Sequence, residues 1–291
     1  MDNIMQFLTS VVVLSCLYAM LACGFVVIYK SSRILNFGYS DIVMLTGYLA
    51  VTLTQLIAGP PVVALSVGFI LSFILGLVIY GLLIKPMAGQ PIFSTIILTV
   101  ALGIVLNAVT ILVWGGETEI IPFGWRAYYS LPGEVRVAST EIVMLIVTVV
   151  FFVALLNFYR FSKLGQQMRA TAENALLASQ RGINIYFVTG FAWGVGIFAT
   201  SVAGTLLGGN YSVSLEMGHV AIKAFAVALV GGLDSIGGTI PAALVVALTE
   251  LAASNYVNPR LADAIPFMIM IIVLLVRPWG LFGTKEEIDR V

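Results

Sequence analysis

The amino-acid sequence predicts an all-α protein, a polytopic bundle of transmembrane helices with about eight or nine spans. Of its 291 residues, 60% are hydrophobic and only 10% are charged, whereas ordinary soluble domains carry about 25% charged residues. Apolar runs long enough to cross a bilayer, about 20 residues at 1.5 Å each, also recur from one end of the chain to the other. We therefore expect a single membrane domain over residues 1–291.

Eight apolar runs are predicted to span the membrane, separated by breaks rich in glycine, proline or charge. They cover residues 7–29, 36–57, 62–84, 92–114, 142–159, 183–207, 236–255 and 264–276. A shorter piece, 219–233, carries Lys223 and could be a ninth span, a tilted half-helix or a re-entrant element.

Basic residues predict which side of the membrane each loop faces. With nine crossings, ten of the 14 lysines and arginines fall on one side: Lys30, Arg33, Lys85, Arg160, Lys163, Arg169, Arg181, Arg277, Lys285 and Arg290. The other side holds Arg126, Arg136 and Arg260 beside acids such as Glu117, Glu119, Glu134, Glu216 and Asp263. The positive-inside rule makes the first side cytoplasmic. The C-terminus is then cytoplasmic, and the N-terminus is outside only if 219–233 crosses.

A polar segment, residues 160–182, interrupts the apolar runs on the predicted cytoplasmic side. Its sequence, RFSKLGQQMRATAENALLASQRG, predicts one helix with a narrow stripe: Leu164, Met168, Ala172, Ala175, Leu176 and Ser179. Gly182 would end that helix. A helix lying on the membrane normally needs bulky apolar anchors, and small residues instead favour a protein groove. We therefore expect a cytoplasmic helix that docks a separate protein; a membrane-surface helix is the alternative.

The longest outer loop, about residues 115–139, contains Trp125, Tyr128 and Tyr129 between Pro122 and Pro132. Such aromatics are typical of an interfacial belt. A surface that receives an external partner is the second interpretation.

The sequence gives little support to an enzyme. His219 is the only histidine and stands apart from any Cys, His or Glu cluster with metal-ligand spacing. There is no GxSxG motif and no GxxxxGK[ST] loop, so we expect no catalytic residue, no metal and no cofactor held by this chain. The lack of a basic tract argues against nucleic acid. Any free energy from ATP hydrolysis must be supplied by another subunit.

Polar residues inside the predicted spans are candidates for a substrate route, because an ionisable group in lipid is costly and usually faces a cavity or partner. The candidates are Asn36, Asp41, Asn107, Lys223 and Glu250. Each charged residue also has a structural interpretation. Asp41 could favour a helix N-terminus, Lys223 could reach the headgroups, and Glu250 could be paired or exposed.

Glycines mark predicted close contacts between helices. Gly190 with Gly194, and Gly204 with Gly208, fit the small-xxx-small pattern. The run VGGLDSIGG, residues 230–238, lacks the lysine of a phosphate loop and predicts a tight turn. Its Gly231, Gly232, Gly237 and Gly238 leave backbone bare for close packing or for a hinge.

Three stretches together carry a family resemblance. RATAEN at 169–174, followed by Ala178-Ser179 and GIN at 182–184, resembles the cytoplasmic EAA-type loop of bacterial ABC importer permeases, in the variant of the branched-chain amino acid family (LivH type). ILNFGYSDIVMLTGY at 34–48 resembles that family's early INFAHGDLYMLGAY segment, and 230–238 resembles its GGxGSxxGA turn. The chain departs from the family at Tyr39-Ser40, where His-Gly is usual, and at Asp234, where Gly is usual.

The resemblance implies a permease subunit of an ATP-driven importer in the bacterial inner membrane. Its expected partners are ABC ATPase subunits that use ATP and Mg, a second related permease and an extracytoplasmic solute-binding protein. The residues expected to couple to the ATPase are Arg169, Ala172, Glu173, Asn174, Ala178 and Gly182. Relatives carry branched-chain and other amino acids, urea, short amides or aromatic acids, so the solute stays open. A stand-alone secondary transporter or channel is the alternative.

Overall fold

A computed structural model describes residues 2–57, 59–122, 127–131 and 135–285 of the chain. Trp125, Arg126, Pro132, Glu134 and Arg290 lie outside these residues. Within them the twelve α-helices are α1 Asp2–Ser32, α2 Tyr39–Leu56, α3 Pro61–Ile79, α4 Ile92–Trp114, α5 Ser139–Phe161, α6 Lys163–Glu173, α7 Ala175–Gln180, α8 Ile185–Asn210, α9 Met217–Gly231, α10 Thr239–Tyr256, α11 Pro259–Ala262 and α12 Ile265–Val276. The predicted all-α transmembrane bundle is confirmed.

One element of the outer loop was not predicted. Strands β1, Tyr128–Leu131, and β2, Val135–Ala138, pair antiparallel in front of α5. Tyr128 and Tyr129 on β1 are exposed.

Among the described residues, five helices are long and apolar enough to cross a membrane: Ile4–Ser32, Pro61–Met87, Ile92–Trp114, Ser139–Phe161 and Ile185–Asn210. The second of these continues α3 through a π-helical turn, Tyr80–Ile84, and a 3-10 turn, Lys85–Met87. The remaining apolar helices are shorter. α9 has 15 residues and α12 has 12. At 1.5 Å per residue these helices are about 22 Å and 18 Å long, shorter than the hydrocarbon core of a bilayer is thick, ~30 Å.

α1 and α8 form the centre of the bundle, and α4 lies at its edge. The apolar stretch of α1 is 83% buried inside the protein, against 17% for α4. Close approach at the centre depends on glycine, because a Cβ atom at Gly196 would lie 2.4 Å from Ile28 Cγ1. Bulky side chains at such positions would force the helices apart.

Loops of like charge meet at the same end of the bundle. Lys30 Nζ donates to Asp234 O at 2.8 Å, Arg33 Nη2 donates to Ala172 O at 3.5 Å, and Thr284 N donates to Asp234 Oδ2 at 3.0 Å. We call this the basic end. It gathers the loops that the charge pattern assigns to one side, although the membrane side itself stays a prediction.

The acidic end, opposite, gathers the other loops. Gln6 Oε1 accepts from Arg136 N at 3.0 Å, and Glu119 forms a β-bridge with Val213. The chain leaves Val213 at the acidic end through α9 and reaches the basic end, where Leu281 N donates to Val230 O at 2.8 Å. Among the described residues nine helices therefore run alternately between the ends, and the piece 219–233 is one of them.

α2 begins deep inside the bundle, which the sequence did not predict. A span starting at residue 36 was expected, but residues 33–38 are non-helical and α2 starts at Tyr39. A Cβ atom at Gly38 would lie 2.6 Å from Thr99 O and 3.0 Å from Gly103 N on α4. Gly103 is eleven residues beyond Ile92, the start of α4, or about 17 Å along its axis.

Several backbone groups of this non-helical segment bond to protein groups. Thr99 Oγ1 accepts from Phe37 N at 3.2 Å and donates to Ile96 O in its own helix at 2.8 Å, while Asn36 Oδ1 accepts from Gly38 N at 3.1 Å. Non-helical backbone at membrane depth is tolerated only where it is buried in protein or lines a cavity. Residues 33–38 meet that condition.

Gly38→Ala should destabilise the protein, since the new methyl group would meet the backbone of α4, which cannot rotate away. Overpacking of this kind costs about 1–3 kcal/mol. Gly81→Ala is the control, because nothing lies within 4 Å of its added Cβ atom. Thermal unfolding of the detergent-purified protein should separate the two, and equal midpoints would contradict the close contact.

Candidate functional site

A cavity of about 670 Å³ opens at the acidic end between α1, the start of α9, α10 and the α11–α12 connection. We call it the outer cavity. Tyr18, His219, Lys223, Glu250 and Asp263 are among its lining residues. Charged groups are concentrated here at the mouth of the bundle.

An ion-paired network crosses the outer cavity. Lys223 Nζ lies 2.7 Å from Glu250 Oε1 and 2.6 Å from Asp263 Oδ1, and Tyr18 Oη donates to Glu250 Oε2 at 2.6 Å. Glu250 is only 6% exposed, so its charge requires these partners. Lys223 therefore does not simply reach for lipid headgroups, and the network ties together α1, α9, α10 and the connection before α12.

Asp263 lies at the water-facing edge of this network, in the connection after α11. The Lys223 ammonium, as hydrogen-bond donor and as positive charge, holds the pKa of the Asp263 carboxyl below its usual value. A carboxyl with a lowered pKa stays ionised until the pH falls through that lowered value. The Lys223–Asp263 contact should thus persist as the pH falls through the ordinary aspartate pKa of about 3.9, and be lost only at lower pH.

A second cavity, of about 350 Å³, lies deeper and is mostly apolar. We call it the inner cavity. Its polar lining residues are Asn36, just before α2, and Ser40, in the first turn of α2. Phe25, Phe225 and Met270 contribute to its walls. Ile222 and Phe267 line both cavities, so the two are adjacent.

The structure brings the five sequence-predicted route residues together in part. Lys223 and Glu250 pair in the outer cavity, whereas Asp41 and Asn107 meet between α2 and α4, where Asn107 Nδ2 donates to Asp41 Oδ1 at 3.4 Å. Of the five predicted residues, Asn36 is the one that lines the inner cavity. Ser40 connects these groups, because it lines the inner cavity and its hydroxyl donates to Asp41 Oδ2 at 3.4 Å.

The polar segment at the basic end is not the single helix that its composition predicted. Arg160 lies in the last turn of α5. Ser162 caps α6 by accepting from Gly165 N at 2.8 Å, and Asn174 caps α7 by accepting from Leu177 N at 2.9 Å. Side-chain caps of this kind start new helices. Gly182, at φ 81°, ends α7, with Ile183 N donating to Ala178 O at 3.1 Å.

We call residues 163–184 the α6–α7 tip, and its predicted coupling residues fall into two groups. Arg169 donates to the carbonyl oxygens of Tyr159 and Arg160 at the end of α5, Ala172 O accepts from Arg33, and Ala178 is buried. These residues hold the tip against the bundle. Glu173, Asn174 and Gly182 are exposed.

Two leucines on the tip are exposed, and the sequence pattern singled out one of them. Leu176 is 68% exposed and Leu177 is 57% exposed. Leu176 belonged to the predicted stripe and Leu177 did not, because the break at Asn174 rotates α7 relative to α6. An apolar pair thus projects from the basic end beside Glu173 and Arg181.

The glycines on α8 lie where neighbouring elements approach. An added Cβ atom would lie 2.8 Å from Tyr80 at Gly190, 2.7 Å from Phe73 at Gly194, 2.9 Å from Val43 O at Gly204 and 2.4 Å from Val213 at Gly208.

In the turn after α9, a Cβ atom at Gly231 would lie 2.7 Å from Gly238 O, and one at Gly238 would lie 2.5 Å from Gly231 O. Gly232 has φ 101°, a value that disfavours other residues. Gly237 differs from them, because nothing lies within 4 Å of a Cβ atom added there.

Sequence reasoning missed Tyr18 as a partner of Glu250 and placed Asp263 only among the outer acids. No local pattern marks Tyr18, which is 232 residues from Glu250. Within the described ranges no three His, Cys, Asp or Glu side chains form a possible metal site.

Lys223→Met should lower the free energy of unfolding by about 3–5 kcal/mol, because it leaves the buried Glu250 carboxylate without its countercharge. Adding Glu250→Gln should restore part of the loss. Lys163→Met, on the exposed side of α6, should stay within about 0.5 kcal/mol of the unchanged protein. Denaturant unfolding in detergent measures all four proteins, and a Lys223→Met loss no larger than that of the control would contradict the pairing.

Comparison with known proteins identifies the family. The model of the family described as "Branched-chain amino acid transport system / permease component" matches residues 7–274. The chain is 29% identical to the high-affinity branched-chain amino acid transport system permease protein LivH of Escherichia coli K12, over 96% of this chain and 95% of that one.

Two further relatives match over similar lengths. BraD of Pseudomonas aeruginosa, a high-affinity branched-chain amino acid transport system permease protein, is 26% identical over 94% of each chain. The probable branched-chain amino acid transport permease protein LivH of Methanocaldococcus jannaschii is 26% identical over 95% of this chain and 91% of that one. With a family model that covers nearly the whole bundle, the chain belongs to the branched-chain amino acid transport permease family.

Proposed function

We propose that this protein is the membrane permease subunit of an ATP-driven ABC importer. It moves branched-chain or related amino acids inward across the inner membrane by alternating access. Family membership supports the transport role, and the α6–α7 tip carries the proposed link to ATP. The sequence has no P-loop of its own, so ATP and Mg belong to ATPase subunits.

The tip has the features of a docking surface for an ATPase subunit. Leu176 and Leu177 project from a short helix flanked by Glu173 and Arg181. Burying a leucine fully is worth about 1.5–3 kcal/mol, so a partner that covers both gains substantial affinity. The charged neighbours would fix the orientation of that partner.

The attachment of the tip would transmit motion into the bundle. Arg169 fixes α6 to the end of α5, and Arg33 bonds to Ala172 O at the end of α6. Arg33 is also the residue from which the non-helical segment 33–38 enters the bundle. A displacement of the tip would therefore reach the inner cavity through this segment.

The cavities supply the proposed solute route. An extracytoplasmic solute-binding protein would deliver its solute to the outer cavity, at the acidic end, and the tip and C-terminus would face the cytoplasm. Broad apolar faces, such as that of α4, where Ile104 and Leu112 are exposed, suit contact with lipid and with a second homologous permease.

The alternative is a stand-alone secondary transporter or channel, and one observation favours it. Lys223 and Glu250 form a largely buried ion pair, as ion-coupled carriers often have. Proteoliposomes separate the two functions. The account expects L-leucine uptake only when ATPase subunits, binding protein and ATP are supplied, whereas ion-driven uptake by the lone protein would establish the alternative.

Leu176→Asp with Leu177→Asp should abolish docking of the ATPase. Loss of two apolar contacts and burial of two charges should weaken association at least about a hundredfold. Co-purification of the ATPase subunits and ATP-dependent uptake should both fail, while expression and thermal unfolding stay unchanged.

Gln166→Asp is the control for this test, because it adds an acid to the exposed side of α6 without touching the leucine pair. It should preserve both readouts. An ATPase that still co-purifies with the double leucine variant would show that the coupling surface lies elsewhere.

A further inference from the structure

A groove lined by phenylalanine side chains lies between α3, α5 and α8, and we call it the phenylalanine groove. Its volume is about 300 Å³, and its phenylalanines are Phe73, Phe151, Phe158, Phe191 and Phe198. All five rings are half-buried, so the groove is open on its outer side. No described residue of α3 or α5 lines the outer or the inner cavity. The groove is therefore separate from the proposed solute route.

Contacts between aromatic rings hold the groove in shape. The Phe191 ring centroid on α8 lies 5.4 Å from that of Phe73 on α3 and 5.8 Å from that of Phe158 on α5. About two turns further along α8, the Phe198 centroid lies 6.2 Å from that of Phe151 on α5. Ring pairs at such separations are favourable. α8 is thus the floor of the groove, and α3 and α5 are its walls.

The surface around the groove suits the interior of a bilayer. Ile70 on α3 and Val150 on α5 are exposed, and both helices belong to stretches long and apolar enough to cross a membrane. Along α5 the rise from Phe151 to Arg160 is about 14 Å, close to half of the ~30 Å hydrocarbon core. The groove therefore spans one leaflet, the one at the basic end.

Each wall of the groove ends in a cation. Lys85, just after α3, has its Nζ 5.3 Å from the ring centroid of Tyr186, and Arg160, in the last turn of α5, has its Cζ 5.4 Å from that of Phe161. Within the described part of the chain neither cation pairs with a carboxylate. Both aromatic side chains are exposed. Exposed aromatics beside cations are typical of the membrane–water interface.

We propose that the phenylalanine groove binds one anionic phospholipid from the leaflet at the basic end. An acyl chain lies along the rings, and the headgroup phosphate lies by Lys85 and Arg160. Basic sites between transmembrane helices bind anionic headgroups, and a guanidinium group pairs well with a phosphate. This inference does not depend on the proposed transport function, because it uses neither the α6–α7 tip nor the two cavities.

Charge favours a lipid over a helix of a second permease as the occupant. One phospholipid supplies an apolar chain and a negative charge at the depth where the groove ends in its two cations. A neighbouring transmembrane helix that ends on the predicted cytoplasmic side tends to carry lysine or arginine there. Such a helix would cover the rings and leave Lys85 and Arg160 facing further positive charge.

Native mass spectrometry measures the preference for an anionic headgroup. The full-length protein, freed of lipid in detergent, is titrated with palmitoyl-oleoyl phosphatidylglycerol or with phosphatidylcholine that has the same chains. The first phosphatidylglycerol should bind at least about tenfold more tightly than the first phosphatidylcholine, because two charge-assisted contacts are added. Equal affinity for the two lipids would overturn the proposal.

A variant without the two cations tests the headgroup site. Lys85→Gln with Arg160→Gln should reduce the preference for phosphatidylglycerol to less than about threefold and leave the affinity for phosphatidylcholine unchanged. Arg181→Gln with Lys285→Gln is the matched control, because it removes the same charge from exposed positions of the basic end outside the groove. An equal loss of preference in both variants would show that net charge, and not the groove, attracts the lipid.

A larger side chain in the groove tests the acyl-chain site. Ala154 lines the groove and is exposed, so Ala154→Trp should occupy the place of the chain and weaken binding of both lipids at least about fivefold. Val153→Trp is the control, since Val153 is exposed beside it on α5 and does not line the groove. Unchanged lipid affinity in Ala154→Trp would contradict the assigned site.

Labelling of Ala154→Cys by N-ethylmaleimide decides between the two occupants. Peptide mass spectrometry separates position 154 from Cys16 and Cys23. The rate of labelling in bacterial membranes should be the same whether or not the second homologous permease is co-expressed. Protection of position 154 by the second permease would assign the groove to that subunit and overturn the lipid site.

Discussion

Satisfaction of buried backbone polar groups is the constraint on which this structure depends. In a bilayer, non-helical backbone survives only where protein or a water-filled cavity surrounds it. Residues 33–38 are non-helical and lead from the basic end to Gly38, which packs against Thr99 and Gly103 on α4. Thr99 and Asn36 accept hydrogen bonds from Phe37 N and Gly38 N. Gly38 and Gly103 let α2 and α4 come close enough for those bonds to form. Leu35, Asn36 and Phe37 of this segment also line the inner cavity.

The same segment connects the two ends of the proposed mechanism. At its start Arg33 contacts the α6–α7 tip through Ala172 O, and at its end Asn36 and Ser40 line the inner cavity. Beyond that cavity, the Tyr18–Glu250–Lys223–Asp263 network joins four elements around the outer cavity. A shift of α9 must therefore alter both cavities, because Ile222 on α9 lines each of them.

Hydropathy predicted the long spans well, since the hydropathy signal of each span is summed over many residues. α4, for example, has the predicted bounds, Ile92–Trp114. Hydropathy failed at residues 36–38, because this short segment lies within a mostly apolar run, while its contacts with α4 are not visible in the local sequence. The pairing of Lys223 with Glu250 was equally hidden, since the two residues lie 27 positions apart, on successive helices joined by a turn. In the tip, caps at Ser162 and Asn174 outweighed a composition that favours one helix. The family motifs located the tip, and only the fold showed which of its residues face outward.

Sidedness of access to Ser40→Cys tests the central claim most directly. The assembled transporter, reconstituted in one orientation, would be treated with a membrane-impermeant maleimide from either side, with and without trapped ATP. The account predicts that ATP moves access to position 40 from one side of the membrane to the other. It also predicts that the Leu176→Asp, Leu177→Asp variant loses this switch. Access from the same side in every state, in a complex that still transports, would contradict coupling of the tip to the inner cavity.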